Sequence, residues 1–344
     1  MHEIINNSLD MRGILRQYFL VLIIGLLTFS CKNKSEGYKP VVAGKAGELL
    51  IVIDGKWKKT EGGKYIRQMM NQPYLGLPQE EPIFDIMVAP HDAFTSYMKT
   101  IRNIVVADIS PGITNDTIHY YKSLWAKEQA VVRISAKTPE AFDEIIRRHE
   151  LKMISFFNRA ERERSMRFYK GYSSVKLMNK LKRKWDCQII VPGSFKGNKG
   201  GEDFVWMSEE KDLSSQGLLV YSFDYVEEGT FSKEYLLNKR DSVLKINLPG
   251  AAAGSYMTTE HTFPVIYKKD AINENEVYEL RGLWKVQGDM MGGPFILQAR
   301  LDKRTNKVIV TDGYVYAPEK PKKRTMIRQL EAVMYSFRFS HKKK

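Results

Sequence analysis

The chain is 344 residues long and carries 54 Lys and Arg against 40 Asp and Glu, a formal net charge of +14. Its 43% hydrophobic and 11% aromatic content excludes an intrinsically disordered chain and suffices for the core of one large or two medium domains. Two cysteines exclude a disulfide-dense scaffold.

The first element is the apolar run Phe19 to Phe29 within YFLVLIIGLLTFSCKNKS. It is shorter than the roughly 20 helical residues that a bilayer core requires and has the length of a signal-peptide apolar region. Arg12 and Arg16 precede it as the positive region, and Met11 offers a start alternative to Met1. At its end Leu27-Thr28-Phe29-Ser30-Cys31 resembles the lipobox of bacterial lipoproteins, with Phe29 where a small residue is usual. An ordinary signal peptide that ends near a cysteine is the other reading. On the lipobox reading residues 1–30 are a signal peptide, Cys31 is the lipidated N-terminus, and residues 31–45 are a flexible tether. Cys187 is then left without an intramolecular partner, and the exported chain is held together by its core alone.

Beyond the tether, GELLIVID reads as a buried strand stopped by Asp-Gly. Thr60 caps a helix with Tyr65, Ile66, Met69 and Met70 at helical spacing, and PIFDIMVAP is a second strand. Asp92 is placed to cap a helix carrying Phe94, Tyr97, Met98 and Ile101, before a third strand, NIVVADIS. IHYYKSLW and QAVVRISA extend the sheet antiparallel. Thr138 and Pro139 then open a long helix ending near Gly171. In the second half a basic helix, Ser174–Trp185, turns Val175, Leu177, Met178, Leu181 and Trp185 inward and leads into a strand, CQIIVPG. SFKGNKGGED reads as a surface loop. FVWMSEE and GLLVYSFDYV are strands, Ser232 caps a helix to about Lys245, and three strands from VYELRGLWKVQ onward precede a closing helix, Thr325 to about Tyr335. The expected fold class is α+β (mixed α/β): two α/β-sandwich-like modules, residues 46–170 and 171–340, with largely mixed or antiparallel sheets. A duplication is one origin for the pair.

The charge is unevenly spread. From Arg159 to Lys184 there are ten Lys and Arg against two Glu. Aromatics interleave with the cations, as they do in nucleic-acid binders, but export excludes nucleic acid as a partner. A solvated helix face and a contact with anionic lipid or glycan are the two remaining readings.

The chain contains no HExxH, no paired CxxC, no GxSxG and no phosphate-binding GxxxxGK[ST]. Glu260 and His261 are adjacent and suit a general acid–base pair. Asp289 and Cys187 complete a weak catalytic set, although Cys187 at the mouth of a strand has the setting of a small core hydrophobe. His91, His119 and His261 are scattered and make no metal site, so neither metal nor cofactor is expected.

LRGLWKVQGDMMGGPFILQARLD is the most distinctive stretch. Three Gly and a Pro between two strands exceed the needs of a tight hairpin and suggest a shaped loop whose methionines form a contact surface. A bulged sheet corner is the structural alternative. Arg281, Trp284, Asp289, Met290, Met291, Gly292 and Gly293 are the candidate binding residues. RGLWKVQGDMMGGPF, VTDGYVYAPEKPKK and RQLEAVMYSF resemble a family of Bacteroidota lipoproteins known as a domain of unknown function, over most of the mature chain. That resemblance implies an envelope lipoprotein and carries over no catalytic residue. The expectation is a non-catalytic binding or scaffold protein, held on the membrane by its N-terminal lipid, in the outer membrane facing the periplasm. Its partner would be an anionic lipid, a glycan or an envelope protein. An envelope hydrolase with a cleft between the modules is the alternative.

Overall fold

Strand β1 (Glu48–Val52) is almost uninterruptedly apolar because it lies inside a mostly parallel sheet covered on both faces. The computed structural model describes residues 38–340. The signal segment, Cys31 and the first part of the tether lie outside the described residues. β1 pairs in parallel with β2 (Asp85–Ala89) and β3 (Asn103–Ile109). β3 pairs in parallel with β5 (Ala130–Ala136), whose other edge takes β4 (Thr117–Lys122) antiparallel, giving the order β2-β1-β3-β5-β4. Alternate residues serve two cores, as the period of two requires. Leu49, Ile51, Val105, Val132 and Ile134 face the helices, while Leu50, Val52, Ile104, Val106 and Val131 face the segment around Phe94 and Met98.

A single turn, α1 (Gly55–Lys58), leads into α2 (Glu61–Met70), where the Thr60 hydroxyl accepts from the Gly63 N–H. α3 (Pro139–Gly171) begins in the same way, with Thr138 accepting from Ala141 and Pro139 in the first turn. The helix expected after Asp92 is reduced to a 3₁₀ turn, Met98–Thr100. His91 is instead tied sideways to Asp54 and Asp108, which fixes the chain in a loop.

The second sheet is antiparallel and eight-stranded. β8 (Phe204–Lys211), β9 (Ser214–Asp224), β12 (Asn275–Gln287), β13 (Gly292–Asp302) and β14 (Lys307–Tyr316) are its long strands. Its order runs β10 (Tyr256–Thr259), β12, β13, β14, β9, β8 and β7 (Lys196–Gly200), with β11 (Ile266–Ile272) also on β12. One face packs on α5 (Lys233–Asn247), capped by Ser232. The other packs on α6 (Arg324–Tyr335) and joins the core that α3 and the first sheet build. Among the described residues the protein is thus a mixed α+β fold of six α-helices and fifteen strands, β6 (Cys187–Gln188) and β15 (Arg338–Phe339) pairing separately. None of these helices is long and apolar enough to cross a membrane. The two sheets differ in topology, so the fold gives a duplication no support.

Three local expectations are corrected. In α4 (Val175–Trp185) Leu177, Leu181 and Trp185 are buried, but Val175 is exposed because the first turn projects past the core. CQIIVPG holds only the two residues of β6, since Ile189 and Val191 enter the core without a strand partner. SFKGNKGGED contains β7, an edge strand with every side chain exposed, paired through its backbone to Val205–Ser208. Lysine and glycine on an edge discourage further pairing.

The glycine-rich turn also differs. Gly292, Gly293 and Pro294 belong to β13 and pair with Lys285, Trp284 and Leu283, which leaves Gly288–Met291 as the hairpin loop. Gly288 turns the chain at φ +88°. Gly293 is required by close approach, since a Cβ there would stand 2.0 Å from the Val315 carbonyl oxygen. Gly293→Ala is expected to destabilise by about 1–3 kcal/mol, read as a lower urea midpoint at unchanged slope. A midpoint equal to wild type would show that β14 yields freely at this point.

Candidate functional site: an arginine-lined cleft

α3 runs alongside α6, and β11 and β12 reach the same region from the second sheet. Between them lies a cleft of about 1090 Å³. One wall is the Leu151–Tyr169 stretch of α3. The opposite wall comes from Gln72–Leu75, the β11 end Lys268–Asn273, and α6.

The floor is a buried network centred on Glu331, on α6. The Tyr74 hydroxyl donates to Glu331 Oε2 at 2.5 Å, and Arg162 Nη1 donates to Oε1 at 3.0 Å. Arg281 Nη2 lies 3.4 Å from the same Oε1, while its Nη1 donates to Tyr74 Oη at 2.7 Å. Arg281 Nε donates to Glu279 Oε1 at 2.7 Å, and Gln298 donates to the other Glu279 oxygen at 2.8 Å. Burial alone would raise the Glu331 carboxyl, but Arg281, Arg162 and the Tyr74 hydroxyl outweigh it and hold the group at about 2. A second knot lies beside it on α3. Glu161, also buried, accepts from Asn103 at 2.6 Å and from Arg164 at 2.7 Å and pairs with Arg102 at 3.1 Å.

Arg328 has no carboxylate. Its Nη2 donates to the Ile83 carbonyl at 2.7 Å and to Asn158 Oδ1 at 2.9 Å, and its Nη1 is buried without a partner. Arg159 and Arg338, both exposed on the lining, have no acidic partner among the described residues. Cationic side chains therefore outnumber acidic ones around the cleft.

The residues singled out in the sequence fall in several places. Arg281 lines the cleft. Trp284 does not face solvent: it is buried, and its indole N–H donates to the Val315 carbonyl at 3.1 Å. Gly292 and Gly293 are strand residues in the sheet. Met290 is fully exposed at the hairpin tip, Met291 is half-buried against the second core, and Asp289 accepts from the Met290 N–H.

The four catalytic candidates do not pair with one another. Glu260 accepts from the Thr262 N–H and hydroxyl and pairs with Lys285 at 3.2 Å, which together hold its carboxyl at about 2. A carboxylate so stabilised is a poor general base or acid near neutral pH. His261 Nε2 bonds Asp241 Oδ2 at 2.7 Å, a partner on α5 that the sequence reading did not single out. Burial opposes the charge on Asp241, but hydrogen bonds from Thr259 and His261 keep its carboxyl below the usual range. Cys187 is buried, and desolvation pushes its thiol up to about 12, so it is no thiolate nucleophile.

His91 shows a different arrangement. Nδ1 lies 2.9 Å from Asp54 Oδ1 and Nε2 lies 3.0 Å from Asp108 Oδ1, at the carboxyl ends of β1 and β3. Both ring nitrogens are taken, so the imidazole ties two strand ends together and offers no nitrogen to a substrate. Among the described residues no three His, Cys, Asp or Glu side chains gather closely enough to hold a metal ion.

Residues 174–336 match the model of a domain of unknown function, DUF4837, and residues 42–170 match that of another, DUF8532. Together the two matches run from residue 42 to residue 336. The junction of the two matches falls at the end of α3, and the cleft is lined from both. No curated protein matches the chain. Among solved structures, a mutant of the protein Mog1 is similar at 8% identity and TM-score 0.31, covering 45% of this chain and 91% of that one. The Saccharomyces cerevisiae Ran-binding protein Mog1p is similar at 10% identity and TM-score 0.28, with 45% and 90% covered. Similarity this low carries no argument about function.

Proposed function

We propose that the protein is a bacterial envelope lipoprotein, lipidated at Cys31, that binds a ligand in the arginine-lined cleft without transforming it. The reading of its origin as a Bacteroidota lipoprotein rests on RGLWKVQGDMMGGPF, VTDGYVYAPEKPKK and RQLEAVMYSF together with the lipobox-like Ser30-Cys31. The single observation that favours binding over hydrolysis is the cleft floor. Its buried carboxylates, Glu331, Glu279 and Glu161, are all locked to guanidinium groups, and Glu163 and Asp270 on the lining pair with Lys122 and Lys268. The titratable candidates for catalysis, Glu260, His261, Asp289 and Cys187, line no part of it. A general acid or base must reach its proton directly or through one water, and among the described residues every carboxylate that lines the cleft is already paired with a cation.

The anchor supports a periplasm-facing place on the outer membrane, because CKNKSE lacks an acidic run directly after the cysteine. Cys31→Ser is expected to move the protein from the membrane fraction to the soluble fraction, and intact-mass spectrometry of the wild type is expected to show acyl chains on Cys31. A wild-type mass without acyl groups would end the anchor reading.

A further inference from the structure

Taking the cleft as a binding site, the geometry points to an anionic amphiphile as its ligand: a phosphate or carboxylate head group carrying a long hydrocarbon chain. Three features converge on that chemistry. The first is length. The wall supplied by α3 runs from Leu151 to Tyr169, which at a rise of 1.5 Å per residue is about 27 Å. A trough of that length suits an extended ligand better than a compact metabolite.

The second is the cationic middle. Arg159 projects from the exposed side of α3 without an acidic partner, Arg338 stands on the lining in the same condition, and Arg328 meets only neutral oxygens. The remaining guanidinium groups of the floor are occupied by Glu331, Glu279 and Glu161. An incoming phosphate or carboxylate would thus find cations, Arg159 and Arg338, that no acidic group occupies among the described residues, beside Arg328 with its buried, unpartnered Nη1. Guanidinium groups suit these anions because their N–H groups match two oxygens at once.

The third is the lip. Leu75, Leu151 and Phe168 line the same cleft and are 59%, 80% and 63% exposed. Large apolar side chains beside a polar trough are suited to cover a hydrocarbon chain that the floor itself would not accept. Phe168 also continues into the exposed aromatic Tyr172, 5.4 Å away between ring centroids.

Calorimetric titration of the full chain carrying Cys31→Ser tests the inference, because that variant has no acyl group of its own to occupy the cleft. Dodecyl phosphate and dodecanoate are expected to bind at least about tenfold more tightly than either inorganic phosphate or dodecyl maltoside, all three amphiphiles being kept below micelle formation. The two anionic probes separate a phosphate source from a carboxylate source. Arg159→Glu is expected to weaken the preferred probe about tenfold or more, and Leu151→Asp or Phe168→Asp is expected to do the same from one flank. All three positions are exposed, so an unchanged thermal midpoint verifies that each variant folds. Equal affinity for dodecyl maltoside, or affinity unmoved by all three substitutions, overturns the inference. If neither anionic probe binds but a molecule that copurifies with the wild type is lost in Arg159→Glu, the ligand class is wrong and the binding-protein reading survives.

Discussion

Glu331→Ala is expected to destabilise the protein by about 3–5 kcal/mol, the loss that follows when one partner of a buried charge network is removed. Glu331 is the acceptor for the Tyr74 hydroxyl and Arg162, and the ion-pair partner of Arg281. Without it, Arg162 has no anion and Arg281 keeps only Glu279. Three segments meet on Glu331 from outside α6, the Tyr74 loop, α3 through Arg162 and β12 through Arg281, so the cleft floor loosens together with the fold. Glu331→Gln retains the shape and one acceptor oxygen and is expected to lose less. The charge gives this prediction a pH signature. Its folded carboxyl is held at about 2, below the unfolded value near 4.5. The folded state therefore prefers the ionised form, so the stabilisation is fully present above about pH 4.5 and fades as the pH falls towards 2. Urea unfolding at pH 7, 4.5 and 2.5 should show wild type and Glu331→Gln converging through that window. Two curves that stay parallel would mean that Glu331 contributes packing rather than charge.

Much of the scaffold was legible because its signals are local. GELLIVID, NIVVADIS and QAVVRISA are short apolar runs, and each became a strand of the first sheet. Thr60, Thr138 and Ser232 are hydroxyl residues just ahead of periodic segments, and each accepts a first-turn N–H. The failures share a different cause. A helix after Asp92 has sound local chemistry, but His91 makes hydrogen bonds to Asp54 and Asp108, 37 and 17 residues away in sequence, and these override it. β7 has no hydrophobic alternation to reveal it, because an edge strand pairs by backbone alone. The glycines of GDMMGGPF signalled unusual backbone, yet Gly293 answers to the Val315 carbonyl of a neighbouring strand rather than to a ligand.

The cleft was the least legible part. Arg281 was singled out for its place in a distinctive motif, but its partners Tyr74 and Glu331 come from distant segments. Tyr74 and Glu331 are 257 residues apart in sequence. One signal was available: Glu331 sits among Ile327, Leu330 and Met334 on the buried face of α6. A carboxylate on an apolar helix face is rarely left unpaired, and asking for its cation would have led towards the site.

The same reasoning gives a sharp expectation at the far face of the second sheet. Arg240 of α5 and Asp312 of β14 are both fully buried, with Nε to Oδ2 at 2.8 Å. Arg240 also donates to Thr259 Oγ1 at 2.9 Å and lies 3.7 Å above the Phe295 ring. The pair is incompletely satisfied, however, since Arg240 Nη2 and Asp312 Oδ1 have no hydrogen-bond partner. Burial pushes the Asp312 carboxyl above its usual range even with Arg240 beside it. Arg240→Met alone strands a buried carboxylate and is expected to cost about 3–5 kcal/mol, whereas Arg240→Met with Asp312→Leu is expected to recover most of that loss. The single variant should suffer less at low pH. Its carboxyl, with a folded pKa above the unfolded one, favours folding below the unfolded value near 3.8 and loses that contribution as the pH rises. Since neither residue lines the cleft, the double variant should bind dodecyl phosphate as the parent chain does. A double variant as unstable as the single one would show that the ion pair sets the packing of α5 on the sheet and is not merely tolerated there.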